Sequence, residues 1–138
     1  MPYPEMMVQP MREDLVSIGV QELKTPEDVD AFLEDKSGPA MIVVNSVCGC
    51  AAGMARPAVA LALQHEKRPD RVATVFAGQD VDATARAREH FADLPPSSPS
   101  ILVLNNGQLV DYVPRHRIEN RDAHAIAKDL TEVFDEIC

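Results

Sequence analysis

The chain has 138 residues, of which 46% are hydrophobic and 25% charged, a composition typical of one globular domain that excludes a disordered chain. Its net charge of −9 argues against nonspecific nucleic-acid binding and against docking on anionic membranes, since both need clustered lysine and arginine. No apolar run approaches the ~20 residues that span a bilayer, and the start of the chain lacks a secretory signal pattern. We therefore expect a cytoplasmic protein.

The N-terminal part of the chain predicts two helices and then a buried strand. Residues 11–19 form a short helical pattern closed by glycine, within an N-terminal extension of about residues 1–24. A threonine followed by proline is typical of a helix start and predicts a helix over residues 25–33. Residues 40–44 are a continuous apolar run between turn residues, which predicts a strand buried on both faces.

The rest of the chain alternates between helical and strand patterns. Helical spacing of apolar residues predicts helices over about residues 50–65, 80–91 and 119–137. Strands are predicted over residues 71–76, 101–104 and 108–113. An Asn-Gly pair joins the last two strands and indicates a hairpin. This order predicts one α/β domain over residues 1–138, with a central mixed sheet of about four strands flanked by helices.

Two of the three cysteines, Cys48 and Cys50, are separated by Gly49 alone, and Cys138 ends the sequence. Three cysteines without an export signal do not make a disulfide framework. The pair follows the first buried strand and begins the next helix, where backbone N–H groups and the helix dipole favour a thiolate. We therefore assign Cys48 as the attacking thiol and Cys50 as the thiol that resolves the mixed disulfide on Cys48.

A disulfide between Cys48 and Cys50 would close a tight ring, so we expect a labile bond, with Gly49 tolerating the backbone angles. Two alternatives remain: a pair of cysteines packed as small hydrophobic residues, or thiolate ligands for zinc or copper(I). The histidines offer no recognisable ligand spacing; they are His65, His90, His116 and His124.

A proline-rich segment enters the strand at residue 101. A proline that begins a strand beside an active-site helix is a common place for a cis bond, so we predict a cis Ser98–Pro99 peptide. A loop of this kind offers backbone groups to an extended substrate, which makes Ser98 and Pro99 candidate substrate-binding residues. The alternative is a plain proline-rich turn.

The order of elements and Pro99 resemble the thioredoxin fold. More specifically, residues 43–57, which contain the Cys-Gly-Cys sequence, resemble the bacilliredoxins. Shorter segments also resemble that family, over residues 75–80, 96–100, 113–116 and 134–138.

The resemblance implies removal of bacillithiol from mixed disulfides on proteins, with Cys48 as nucleophile and Cys50 as resolving thiol. It also implies weak disulfide isomerase activity. Under this interpretation no cofactor is bound, and bacillithiol is a low-molecular-weight co-substrate. The partners are bacillithiolated or disulfide-bonded proteins and a disulfide reductase system.

Four further polar residues are relevant to the cysteine pair. Three of them have both a catalytic and a structural interpretation, and the fourth is expected to take no part in catalysis. Asn45 and Ser46 could bind the thiolate or the incoming disulfide, or only satisfy the backbone at a strand end. Arg115 could pair with the malate carboxylates of bacillithiol, or lie at a solvated strand end. Arg56 is expected to point along the helix, away from the cysteines.

Two further residues have structural or open roles. Pro57 is expected to kink the helix that follows the cysteines. Cys138 is a possible third redox thiol that pairs with Cys48 or Cys50, links two chains, or stays idle at a frayed end.

Overall fold

A mixed sheet of five strands lies at the centre of the computed structural model, which describes residues 2–138. The strands are β1 (Gln21–Glu22), β2 (Pro39–Asn45), β3 (Arg71–Phe76), β4 (Ser100–Asn105) and β5 (Gln108–Val113). Their order across the sheet is β1, β3, β2, β4, β5. The first three are mutually parallel, and β4 and β5 run antiparallel to their neighbours.

Helices cover both faces of the sheet, as predicted, and give a three-layer fold. They are α1 (Glu5–Val16), α2 (Pro26–Glu34), α3 (Arg56–Ala62), α4 (Val81–His90) and α5 (Ala123–Ile137). Apolar residues of α1, α3 and α5 pack on one face, and those of α2 and α4 pack on the other. In the described residues, no helix combines the length and apolarity needed to cross a bilayer.

The central strand β2 is fixed from both sides. Met41 and Val43 point into the core beneath α3 and α5, whereas Ile42 and Val44 point into the core beneath α2 and α4. Burial of each such side chain stabilises the fold by about 1.5–3 kcal/mol. The C-terminal end of β2, from which the cysteine segment leaves, is therefore held rigidly.

The predicted α/β fold with a central mixed sheet is confirmed, with five strands in place of about four. The additional strand β1 is only two residues long and pairs with β3, with Gln21 opposite Ala73 and Glu22 opposite Thr74. A strand this short has no alternating pattern that a sequence can display.

The first helix begins earlier than predicted, at Glu5, and includes Pro10. Proline removes one helical hydrogen bond, but α1 buries Val8 and Leu15 and carries the buried Arg12, which bonds to three carboxylates. Tertiary contacts therefore outweigh the local cost.

The predicted helix over residues 50–65 is also divided. A π-helical turn covers Ala51–Ala55, and α3 begins only at Arg56. Pro57 is the second residue after this turn, and helical backbone precedes it from residue 49 onward, so its missing N–H removes one helical hydrogen bond. The expected kink is thus a π-helical interruption immediately before the proline.

Candidate active site

The thiols of Cys48 and Cys50 face each other directly after β2. Their sulfur atoms are 2.7 Å apart and both cysteines are free thiols. Cys48 is partly exposed, whereas Cys50 is 9% exposed. The Cys48 carbonyl accepts hydrogen bonds from the N–H groups of Ala51 and Ala52, which fold the π-helical turn around the pair. Formation of a bond between the two sulfur atoms therefore needs little movement of either cysteine.

Hydrogen bonds favour the thiolate of Cys48. Burial raises the pKa of this thiol, but hydrogen bonds from Cys50, from the Ser46 hydroxyl and from the N–H groups of Ala51 and Cys50 outweigh burial. The pKa of Cys48 consequently lies below that of an ordinary thiol.

Cys50 has the opposite tendency. Burial, the hydrogen bond with Cys48 and the negative charge on Cys48 raise the pKa of Cys50, and the positive charge of Arg115 opposes them. When the reduced pair loses one proton, the charge is therefore favoured on Cys48 and the remaining proton on Cys50. A thiolate on Cys48 would thus be the more accessible nucleophile of the two.

Ser46 and Asn45 differ in what their side chains contact. The Ser46 hydroxyl donates to Cys48 Sγ at 3.2 Å and accepts from the Cys48 N–H at 3.4 Å. Asn45 is 1% exposed, and its side chain accepts from the Ser46 N–H and donates to the Met11 carbonyl. Ser46 therefore contacts the sulfur directly, whereas Asn45 contacts the neighbouring backbone.

Arg56 does not point away from the cysteines, so that expectation is wrong. It is 4% exposed and turns back to donate from Nη1 to Asn45 Oδ1 and to the Ser46 carbonyl, each at 2.9 Å. Its Nε also donates to Asp14 at 3.0 Å. A π-helical turn carries one additional residue, which rotates the residues after it by about 100° relative to a continuous α-helix. Pro57 was the signal in the sequence for this interruption.

Residues 95–99 form a proline-rich loop, the proline loop, which lies beside the cysteines. The Ser98–Pro99 peptide is cis, as predicted. Ser100 pairs with Val44 across β4 and β2, so this loop meets the end of β2 from which the cysteine segment leaves. The loop is joined to Arg115, whose N–H donates to the Ser97 hydroxyl at 2.7 Å and whose Nη1 donates to the Ser98 carbonyl at 3.4 Å.

Arg115 also acts electrostatically on the cysteines. Its hydrogen bond with Glu119, and then the negative charges of Cys50 and Cys48, raise the pKa of Arg115. Arg115 also lies beside the proline loop with an exposed side chain, which is compatible both with binding an anionic group and with the alternative of a solvated strand end.

An open groove of about 710 Å³ runs along the proline loop. Its walls include Arg88, Tyr112, Ser98, Arg115 and His116. Arg115 pairs with Glu119, whereas Arg88 takes part in none of the ion pairs found among residues 2–138. The groove thus offers a free guanidinium on a chain whose net charge is −9.

Gly49 is exposed, and a Cβ at this position would have no atom within 4 Å. Gly49 is not among the glycines with positive φ. In the dithiol state its backbone therefore does not require glycine. Any requirement for glycine belongs to the disulfide state.

Cys138 lies far from the pair. Burial raises the pKa of this thiol, as do the charges of Asp70 and Asp135, while Lys67 opposes them. Asp70 immediately precedes β3, and the cysteine pair lies beyond the other end of that strand and of the parallel β2. The two ends of β3 are separated by about 17 Å, so the structure does not bring Cys138 to the other two thiols.

Among residues 2–138, no three histidine, cysteine, aspartate or glutamate side chains are grouped so as to hold a metal ion. A zinc or copper(I) ion bound by the pair would thus have only two ligands from this part of the chain. A closed zinc site needs four.

Comparison with known proteins identifies the family. A family model described as disulphide isomerase matches residues 3–138. A bacilliredoxin of Salinibacter ruber is 53% identical over 140 residues, which cover 100% of this chain and 82% of that protein. A bacilliredoxin of Bacillus licheniformis is 49% identical over 137 residues, covering 99% of this chain and 95% of that protein.

Solved structures agree on the fold. The thioredoxin of Fasciola hepatica matches with a TM-score of 0.57 at 18% identity, over 86% of this chain and 100% of that one. Mitochondrial thioredoxin 3 of Saccharomyces cerevisiae matches with a TM-score of 0.59 at 14% identity, over 90% of this chain and 99% of that one. The chain therefore belongs to the bacilliredoxin family, and it is a thiol–disulfide oxidoreductase with a thioredoxin fold.

Proposed function

We propose that this oxidoreductase removes bacillithiol from mixed disulfides on proteins, with Cys48 as the nucleophile and Cys50 as the resolving thiol. The observation that carries the proposal is the asymmetry of the pair. The partly exposed Cys48 has a lowered pKa, and 2.7 Å away the buried Cys50 has a raised one. The relatives named bacilliredoxin, up to 53% identical, support bacillithiol as the thiol that is removed.

In the first step, the Cys48 thiolate attacks the bacillithiol sulfur of the mixed disulfide. A bond forms between Cys48 Sγ and that sulfur, and the original disulfide bond breaks. The electron pair leaves with the protein sulfur, which takes up a proton and becomes a free thiol. The substrate protein is thereby reduced and Cys48 carries bacillithiol.

In the second step, Cys50 loses its proton and attacks Cys48 Sγ. Bacillithiol departs as a thiolate and is protonated, leaving a disulfide between Cys48 and Cys50. Alternatively, a second bacillithiol attacks the bacillithiol carried on Cys48, giving bacillithiol disulfide and the free Cys48 thiolate. The first route needs two electrons from a dithiol reductase system to regenerate the enzyme, and neither route needs a bound cofactor.

The groove along the proline loop suits the malate end of bacillithiol. The hydrogen bond with Glu119, and then the charges of Cys50 and Cys48, raise the pKa of Arg115, and its Nη1 donates to the Ser98 carbonyl of the loop. Arg88 lines the same groove without an ion-pair partner among the described residues. Two guanidinium groups can each bind a carboxylate in a bidentate manner. We therefore place the two malate carboxylates against these arginines.

The proposal places the reaction in the cytoplasm, where a reductase system keeps the pair as dithiol.

Disulfide isomerisation is the second candidate function, favoured by the description of the matching family model. Cys48 would attack a protein disulfide, form a mixed disulfide with one of its sulfurs and release the other as a thiolate. A different thiolate of the same protein would then attack the protein sulfur of that mixed disulfide, form the new protein disulfide and release Cys48 as a thiolate, with no net change in oxidation state.

The decisive experiment is the intact mass of the Cys50→Ala variant after incubation with a bacillithiolated protein. One bacillithiol adduct on Cys48, absent from the Cys48→Ala control, is the expected result. A protein adduct on Cys48 instead favours isomerisation. No adduct of either kind, with zinc or copper(I) retained by the wild type, would overturn the redox assignment in favour of a metal-binding protein.

A further inference from the structure

We propose that Arg56 is a positioning residue for Cys48, that it acts through Ser46, and that the N-terminal helix α1 holds Arg56 in place. The proposal rests on the assignment of Cys48 as nucleophile. It assigns a role in the active site to the N-terminal extension, which adds to the thioredoxin-like core.

Arg56 is buried, and its Nε and Nη1 donors have partners. The residue is 4% exposed. A buried guanidinium is costly unless its donors are satisfied, and apolar packing alone would be better served by an apolar side chain. Its donors reach Asp14, Asn45 and the Ser46 carbonyl at 2.9–3.0 Å.

These bonds fix the peptide unit that carries the Ser46 hydroxyl. The Ser46 carbonyl accepts from Arg56, and the Ser46 N–H donates to Asn45 Oδ1 at 2.9 Å. Asn45 Oδ1 also accepts from Arg56. The guanidinium therefore holds the Ser46 carbonyl directly and the Ser46 N–H through Asn45. The hydroxyl held in this way lies 3.2 Å from Cys48 Sγ and is one of the groups that stabilise the thiolate.

Helix α1 closes the network from behind. Its Met11 carbonyl accepts from Asn45 Nδ2 at 3.2 Å, and its Asp14 carboxylate accepts from Arg56 Nε at 3.0 Å. The helix is itself anchored by Arg12, which donates to Asp80 at 2.7 Å beyond the end of β3. An unbroken series of polar contacts therefore runs from α1 to the nucleophilic sulfur.

The test measures the pH dependence of iodoacetamide labelling at Cys48, followed by peptide mass, in the full-length reduced protein. This assay needs no bacillithiol, so its outcome is independent of whether bacillithiol is the substrate. Arg56→Met is expected to move the labelling midpoint to higher pH and to slow labelling at pH 7 by about fivefold, which corresponds to the net contribution of one typical hydrogen bond. Arg56→Lys, which keeps the buried charge but not the fork of donors, serves if Arg56→Met does not fold.

A double mutant separates action through Ser46 from a general loss of structure. Ser46→Ala alone is expected to give a similar shift, and Arg56→Met combined with Ser46→Ala no more than Ser46→Ala alone. Arg71→Met is the matched control, because Arg71 also donates to backbone carbonyls, those of Phe32 and Asp35, at the opposite end of β3. It should leave the midpoint unchanged.

The helix is tested by Asp14→Asn, which keeps an acceptor but removes the charge, and which should shift the midpoint in the same direction by a smaller amount. An unchanged midpoint in Arg56→Met and Arg56→Lys, or additive shifts in the double mutant, would overturn the role of Arg56. An unchanged midpoint in Asp14→Asn alone would overturn the contribution of α1.

Discussion

Cys48 and Cys50 are in direct contact, with 2.7 Å between their sulfur atoms, yet their pKa values move in opposite directions. Both thiols are disfavoured as anions by burial. The difference arises because the available donors converge on Cys48: the Cys50 thiol, the Ser46 hydroxyl and two backbone N–H groups. Loss of one proton from the pair is therefore favoured at Cys48, in agreement with the roles proposed for the two cysteines.

This asymmetry predicts the pH dependence of labelling. A thiol with a lowered pKa is deprotonated at lower pH, so Cys48 should reach half-maximal reactivity with iodoacetamide at a lower pH than an ordinary thiol. Cys50 should do so at a higher pH than an ordinary thiol. Removal of the Cys50 donor in Cys50→Ala should move the Cys48 midpoint upward. Site-resolved mass spectrometry across pH 5–10 measures both midpoints. Equal midpoints for the two thiols would contradict the opposite shifts of their pKa values.

A second prediction concerns the arginines of the groove. Arg88→Ala should raise the KM for a bacillithiolated protein about tenfold, because a carboxylate loses a charged partner. The same variant should leave the KM unchanged for the same protein carrying a neutral 2-mercaptoethanol disulfide. Arg86→Ala is the control, since Arg86 lies on the same helix but pairs with Asp30 and Glu89.

Arg115→Ala should differ from Arg88→Ala in one respect. Because Arg115 also acts on the charges of Cys48 and Cys50, its loss should slow the reaction with both the bacillithiol and the neutral substrate. Equal KM values for wild type and Arg88→Ala on the bacillithiolated protein would place the malate group elsewhere.

The sequence was sufficient to predict most of the fold and the chemistry. The apolar run of β2, the cysteines directly after it and the cis Ser98–Pro99 peptide all follow from local patterns. A continuous apolar run leaves few alternatives to a strand buried on both faces. The cis bond is predicted because it costs little before proline and because this proline begins a strand beside the cysteine pair.

Residues whose role depends on tertiary contacts were not predictable in the same way. Arg56 reaches Ser46 only because a π-helical turn changes the direction of the helix, and Asn45 is buried only because α1 covers it. Arg88 is distant from Arg115 in sequence, and the groove they share exists only after α4 has packed beside the proline loop. Side-chain direction at such positions is not encoded in residue spacing.

The position of Cys138 leads to a third prediction. Because Asp70 and Lys67 are its charged neighbours, it lies at the opposite end of β3 from the cysteine pair. Oxidation of the dilute protein should thus yield a Cys48–Cys50 disulfide and a free Cys138 thiol, and Cys138→Ser should leave turnover unchanged. Peptide mapping under non-reducing conditions measures the linkage. An intrachain bond from Cys138 to Cys48 would show that the C-terminal helix moves away from this position.

The last prediction concerns Gly49 and the redox potential. A disulfide between residues i and i+2 closes a strained ring, so its potential should be less negative than the approximately −270 mV of thioredoxin. Gly49 has no positive φ in the dithiol state, and a Cβ there would contact nothing. Gly49→Ala should therefore leave the stability of the reduced protein nearly unchanged. It should destabilise the disulfide, if closing the ring requires backbone angles that only glycine adopts readily, and so make the potential still less negative.

The matched control is Gly53→Ala. Gly53 also lacks a positive φ and has open space at its Cβ position, but it lies outside the ring that the disulfide closes. Equilibration with a thiol buffer of known potential, with the Cys48–Cys50 bond quantified by mass, measures both variants against wild type. A potential for Gly49→Ala equal to that of Gly53→Ala would mean that ring closure makes no demand on residue 49, and that the strain of the bond is taken up by the adjoining π-helical turn.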